Sequence, residues 1–294
     1  MSIWDEIKTT FRHGTHLTRL IYINVAVFLA VKIIYVIYFL LNIQDHEYSL
    51  IRWLAVPADP GILIRRPWTL VTYMFLHENF LHILFNLLWL FWFGRIFLEY
   101  LDQKKLLGVY MMGGMAGAFL YILAYNVLPV FNSLLHESVA LGASAAVYAI
   151  VIAIATYVPN HTVYLMFIGP VKIKYIALFV ILLDILSIAS SNAGGHIAHL
   201  GGAVYGYLFA VQYRRGNVAG RFLNRLWIRF TSILNGQPRV KVTYKRTGND
   251  YEYLQRKADE QKEIDRILDK IAKGGYESLT REEKNTLFNA SKKR

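Results

Sequence analysis

The chain has 294 residues, 55% of them hydrophobic and 18% charged, with a mean hydropathy of +0.33; soluble domains carry about 25% charge, so an ordinary soluble domain, a disordered chain and a collagen are all excluded. It contains no cysteine, which removes disulfide frameworks, thiol nucleophiles, thiolate metal sites and iron–sulfur clusters. The net charge of +12 lies almost wholly in the tail, because residues 1–213 hold 12 Lys+Arg and 10 Asp+Glu, whereas residues 214–294 hold 20 and 10.

Crossing the hydrocarbon layer takes about 20 mostly apolar residues, and six stretches approach that length: 20–41, 80–98, 106–127, 140–158, 175–189 and 197–211. The first 19 residues carry Lys8, Arg12 and Arg19, and the apolar stretch after them is too long for a cleavable signal. Lys and Arg in short loops favour the cytoplasm. With the N-terminus inside, Lys8, Arg12, Arg19, Arg95, Lys104, Lys105, Lys172, Lys174, Arg214 and Arg215 lie on inner segments, and only Arg52, Arg65 and Arg66 lie outside. The sequence therefore predicts an all-α membrane protein, a six-span bundle over 20–213 with both termini cytoplasmic and 1–19 as a cytoplasmic N-terminal segment.

The first outer loop, 42–67, ends at Arg65-Arg66-Pro67-Trp68 and also holds Trp53, so it reads as partly embedded at the interface. Beyond the bundle, 214–230 has five arginines and no acid. Arg221, Arg225 and Arg229 recur beside a face of Phe222, Leu226 and Phe230, a pattern for a helix on anionic lipid rather than for nucleic acid. Residues 231–294 read as a cytoplasmic helical tail: a charged helix over 251–273 striped by Ile264, Ile267, Leu268 and Ile271, a break at Gly274 and Gly275, and a capping box of Thr280 with Glu283 before a last helix.

Polar groups inside spans are costly, so each is a functional candidate. Even-numbered spans all start at the outer face, which puts His82 and Asn86 (second span), Ser144 (fourth) and His199 (sixth) at similar depth. Together they suit acyl transfer. A serine hydroxyl attacks once a base takes its proton, histidine is matched to that task near neutral pH, and Asn or His can donate to the resulting oxyanion. Ser144 also stands at a helix N-terminus, where unpaired N–H groups favour negative charge. Gly202 and Gly206 form G-x-x-x-G on the face of His199, which lets the fourth span approach, and Tyr148 lies one turn after Ser144 where its ring can pack on an imidazole.

These residues carry a resemblance. His82-Ile83-Leu84-Phe85-Asn86, Gly142-Ala143-Ser144 with Tyr148, and Ala198-His199-Leu200-Gly201-Gly202 with Gly206, together with Trp68 fourteen residues before His82, resemble the rhomboid family of intramembrane serine proteases over about 20–213. The resemblance implies a Ser144–His199 dyad, an oxyanion site of His82, Asn86 and the Ser144 N–H, and six helices around a water-filled cavity gated by span 5. It implies hydrolysis of a peptide bond in or beside a transmembrane segment of a substrate protein, with no metal or organic cofactor. Two positions depart from the family: Ala145 stands where glycine usually follows the nucleophile, and Thr69 where arginine often follows the loop tryptophan.

Other readings remain open at the level of sequence. A catalytically inactive relative that binds transmembrane segments of client proteins would keep the fold, and Ala145 is its main support. His196 and His199 at i, i+3, with His77 and His82, could line a metal path, but no carboxylate lies at a matching spacing. His196 reads as a loop residue at the mouth, His77 and Lys32 as structural. Asp184 reads as a hydrogen-bonding residue of the bundle that a Ser–His dyad does not need. The short, untargeted N-terminus favours a bacterial plasma membrane, with the site toward its outer face.

Overall fold

The computed structural model describes residues 2–43, 46–165, 168–189, 192–216 and 250–292. The chain divides into two compact units, Met1–Asn235 and Gly236–Arg294. The predicted lipid-binding stretch 214–230 lies, from residue 217 onward, outside the described residues.

The first unit opens with α1 (Ile3–His13), a helix within the N-terminal segment 1–19. Ser2 caps it and Asp5 reciprocates, a capping box that satisfies two otherwise orphaned N–H groups. Its exposed face carries Trp4, Ile7 and Phe11. α2 (His16–Leu40), capped by Thr15, follows. The stretch expected to be a loop holds two short helices, α3 (His46–Leu54) and α4 (Pro60–Arg65), because Asp59 caps the second and Pro60 suits its first position. Between them β1 (Val56–Pro57) pairs antiparallel with β2 (Val139–Ala140). His136 reinforces the same junction with a 2.6 Å hydrogen bond to Asp59, holding that carboxyl below the usual carboxylate range.

After α5 (Thr69–Thr72) come the long helices α6 (Phe80–Tyr100), capped by Asn79, and α7 (Gln103–Val127), capped by Asp102. Among the described residues, α2, α6 and α7 are long and apolar enough to cross a membrane. β2 takes Ala140, the first residue of the fourth apolar stretch, and the helix begins only at Ser144, so α8 (Ser144–Tyr157) has 14 residues. A hairpin, β3 (Thr162–Leu165) with β4 (Gly169–Lys172), leads into α9 (Ile173–Ser187). The sixth stretch is longer than expected: Asn192 caps α10 (Ala193–Arg214), which puts His196 on the first turn of the helix instead of in a loop.

α8 is the axis of the bundle. From Ala145 to Ala155 every residue except Tyr148 is buried, and α6, α7, α9 and α10 all pack against it. Small residues make this possible. A Cβ on Gly202 would overlap the Ala145 carbonyl oxygen, and one on Gly206 would overlap that of Ala149, so α10 rests directly on the α8 backbone. Where α7 meets both helices, its Gly117 leaves the notch that holds the Ala145 methyl, since a Cβ there would sit 2.5 Å from that methyl and 2.8 Å from the Ala198 carbonyl oxygen.

The second unit contains α11 (Asp250–Gly274) and α12 (Arg281–Lys292), turned at Gly275, whose φ of 71° suits a residue without a side chain. Of the expected apolar stripe, Ile267 is buried, but Leu268 faces solvent, 48% exposed. The Thr280–Glu283 capping box forms, and hydrogen bonds from Lys270 and the Thr280 N–H draw the Glu283 carboxyl down to about 2.

Candidate active site

Three helices bring their N-terminal halves to one end of the bundle, and the polar residues of that end converge. Ser144 is the first residue of α8, so its N–H is among those that no helix carbonyl accepts. Its Oγ lies 2.7 Å from His199 Nε2, across from α10. Tyr148, one turn below Ser144, stacks on the His199 ring with centroids 4.5 Å apart and planes 17° apart. The close α8–α10 contact described above is what makes these distances short.

Gly142 precedes Ser144 with φ of 126°, a backbone conformation that side-chain-bearing residues rarely adopt. Its missing side chain leaves a space between two of the candidates: a Cβ there would stand 2.9 Å from His82 Nε2 and 3.5 Å from Ser144 Oγ. Asn86, one turn along α6 from His82, donates from Nδ2 to the His82 carbonyl at 2.8 Å, and an amide NH₂ retains a second hydrogen to give. His82, Asn86, Ser144 and His199 all line one cavity of about 1600 Å³. Part of its wall is apolar and lies on two separate helices, with Phe85 and Trp89 from α6 and Tyr175, Phe179 and Leu183 from α9.

His77 packs edge-on against His82, centroids 5.1 Å apart, and burial pushes its imidazole down to about 4, so it packs as a neutral ring. Trp68 lies outside the cavity lining. It donates from Nε1 to the Trp53 carbonyl at 2.8 Å and stacks on Trp53, with Arg66 over the other ring. Thr69 is buried, and its hydroxyl adds a 2.7 Å hydrogen bond to the Arg66 carbonyl that its own backbone N–H also reaches. Lys32 donates to the Glu78 carbonyl at 2.8 Å, tying α2 to the bend that precedes α6.

Asp184 is the residue that sequence reasoning set aside. It sits on α9 with its side chain 4% exposed, and its Oδ1 accepts from His199 Nδ1 at 2.9 Å and from His196 Nδ1 at 2.6 Å. A carboxylate does therefore reach the His196–His199 pair, from another helix instead of from a neighbouring sequence position. The available signal was a lone acid on an apolar helix, which is costly unless paired. These three residues are close enough to consider a metal ion. However, the two N···O separations are hydrogen-bond lengths, and two ligands of one tetrahedral ion about 2 Å away stand farther apart, above roughly 3 Å. Proton sharing fits the geometry better. Because a carboxylate only accepts, the His199 proton belongs on Nδ1, which leaves Nε2 to accept from the Ser144 hydroxyl. Such a pair can move a proton off Ser144, with His82 Nε2 beside the space at Gly142 and Asn86 on the wall of the same cavity.

Comparison with known proteins locates a rhomboid domain at residues 65–216 and a family of unknown function, DUF6576, at residues 249–293. The chain is 31% identical over 157 residues to RHOMBOID-like protein 12, mitochondrial, of Arabidopsis thaliana, which covers 50% of this chain and 47% of that one. It is 31% identical over 93 residues to Rhomboid protease GlpG of Salmonella paratyphi A and of Salmonella typhi, 32% of this chain and 32% of each relative. The matched stretch thus spans about half the length of the Arabidopsis relative and about a third of the Salmonella ones.

Proposed function

The chain belongs to the rhomboid family, and from that premise we propose that it is an intramembrane serine endopeptidase whose nucleophile is Ser144 and whose general base is His199. The observation that carries the reading is the 2.7 Å hydrogen bond between Ser144 Oγ and His199 Nε2 at the wall of a large cavity. His199 Nε2 takes the hydroxyl proton as Oγ attacks the carbonyl carbon of the scissile peptide. The oxygen of the tetrahedral intermediate is held by the Ser144 N–H, His82 and Asn86. Collapse breaks the C–N bond, and His199 returns its proton to the leaving amine. Water then attacks the acyl-enzyme by the same route in reverse and releases the new carboxylate.

The architecture that goes with this reading is six spans over 20–213, formed by α2, α6, α7, α8, α9 and α10, with both termini cytoplasmic and the Ser144 end near the outer face. Two short spans, α8 and α9, are tolerable because α8 is sheathed by other helices and α9 borders the cavity. The substrate class is a protein with a transmembrane segment, admitted between the apolar walls of α6 and α9, where span 5 acts as the gate. Residues 214–230 serve as an anionic-lipid contact and 231–294 as a cytoplasmic appendage. A bacterial plasma membrane remains the proposed location.

The test is cleavage of a single-span substrate with small, helix-breaking residues near its outer end, in reconstituted vesicles, by wild type and Ser144→Ala. Cleavage by wild type alone, together with labelling of Ser144 by a fluorophosphonate, supports the protease. A wild-type protein that neither cuts nor takes the probe is instead the non-catalytic relative that binds transmembrane segments, and full activity in Ser144→Ala removes Ser144 from the chemistry.

A further inference from the structure

A carboxylate buried among apolar helices is expensive unless its oxygens are paired. Asp184 is paired through one oxygen only, and both donors are imidazoles of α10, one of them the ring that faces Ser144. The three side chains Ser144, His199 and Asp184 therefore form a continuous hydrogen-bonded series drawn from α8, α10 and α9. This arrangement exceeds what a two-residue mechanism uses, and it costs burial of a charge, so it calls for a role.

We propose that Asp184 is a positioning residue for the reaction, an acidic third member that holds His199 in its Nδ1–H tautomer and stabilises the imidazolium formed when Ser144 attacks. The inference rests on the reading of Ser144 and His199 as a proteolytic pair. The protons balance without any transfer to Asp184. The Ser144 hydroxyl proton moves to His199 Nε2 and later to the leaving amine nitrogen, while the Nδ1 proton stays on His199 and Asp184 stays a carboxylate throughout. His196 is the second arm of the device. By donating to the same Oδ1 it fixes the carboxylate rotamer from one helical turn away on α10, so that Asp184 meets His199 in a set orientation. Tyr148 closes the other side by stacking on the His199 face, leaving the ring no direction in which to turn.

The test uses the full-length protein in reconstituted vesicles. Asp184→Asn retains shape but removes the charge, and its amide can force the wrong tautomer. It should lower kcat by on the order of 10⁴-fold, as loss of the orienting acid does in soluble triads, with KM changed less than about twofold. The titratable and charged groups facing the His199–Asp184 pair are His196 on α10, Tyr148 on α8 and His82 on α6, and the substitution leaves them in place. Asp184→Glu should recover part of kcat, which a packing role would not predict. Wild-type kcat in Asp184→Asn overturns the proposal. Should that variant fail to fold, ¹⁵N spectra of histidine-labelled wild type, assigned with His199→Gln, decide: the Nδ1–H tautomer of His199 supports the proposal and the Nε2–H tautomer overturns it. Failure of the protease reading itself is a separate result, since it shows as wild type that neither cuts nor labels, whatever the tautomer.

Discussion

Ala145 and Gly142 flank the Ser144 hydroxyl and solve opposite packing problems. The Ala145 methyl, in place of the family's usual glycine, is accommodated because α7 offers Gly117 at the point of contact, so the extra carbon fills a notch instead of prising the helices apart. Gly142, by contrast, leaves a space into which His82 Nε2 points. If that space receives the oxyanion, the donors around it contribute only in the transition state. Asn86 is the cleaner of the two side-chain donors to test, since truncating His82 would also strip the neutral His77 ring of its edge-on partner. Asn86→Ala should reduce kcat about 10²–10³-fold with little change in KM, the usual cost of one oxyanion donor. Fluorophosphonate labelling of Ser144 should slow but persist. Wild-type kcat in Asn86→Ala would remove the residue from the oxyanion site.

At the scale of helices, the site depends on how closely α10 lies on α8. Gly202 and Gly206 face the carbonyls of Ala145 and Ala149, one turn apart, so the two backbones are in contact along the segment that carries Ser144 and His199. Gly202→Ala puts a methyl into the Ala145 carbonyl, and backbone cannot give way as a flexible side chain would. The helices must separate, the Ser144–His199 hydrogen bond lengthens, and a misplacement of about 1 Å costs on the order of 100-fold in rate. We expect Gly202→Ala to lose at least that much kcat and to melt at a lower temperature; a variant with wild-type cleavage would show that the contact does not set the geometry. This G-x-x-x-G was legible in the sequence, because small residues at i, i+4 on the face of a histidine have few other uses. The positions of the six apolar helices were legible for the same kind of reason, since length and hydropathy leave little choice. What was not legible depended on contacts between distant segments. The pairing of Val56–Pro57 with Val139–Ala140 shortens α8, the cap at Asn192 lengthens α10 and moves His196 into a helix, and Asp184 reaches His199 from another helix, 15 residues away in sequence. None of these follows from a local period.

For the molecule as a whole, the direction of the chain through the bilayer decides which compartment the Ser144 end faces. The charge argument for it is indirect but consistent. Arginines and lysines gather around the start of α2 (Lys8, Arg12, Arg19), the α6–α7 turn (Arg95, Lys104, Lys105), the start of α9 (Lys172, Lys174) and the end of α10 (Arg214, Arg215), all toward the helix ends away from Ser144. Moving one of these segments to the outer side would work against the inward bias of every other. The chain lends itself to a direct measurement because it has no cysteine, so a single introduced thiol reports without background. Ser133→Cys, Thr162→Cys and Ser2→Cys each place a thiol at an exposed position, in the α7–α8 connection, the β3–β4 hairpin and the N-terminal cap. In intact bacterial cells producing the protein, a membrane-impermeant maleimide should label Ser133→Cys at once and the other two only after the membrane is opened. That pattern requires an odd number of crossings between Ser2 and Ser133 and again between Ser133 and Thr162, which α2, α6 and α7 followed by α8 supply. Immediate labelling of Thr162→Cys would mean that α8, at 14 residues, does not cross. Immediate labelling of Ser2→Cys and Thr162→Cys with protection of Ser133→Cys would turn the whole bundle over, placing the cavity and its substrates on the cytoplasmic side.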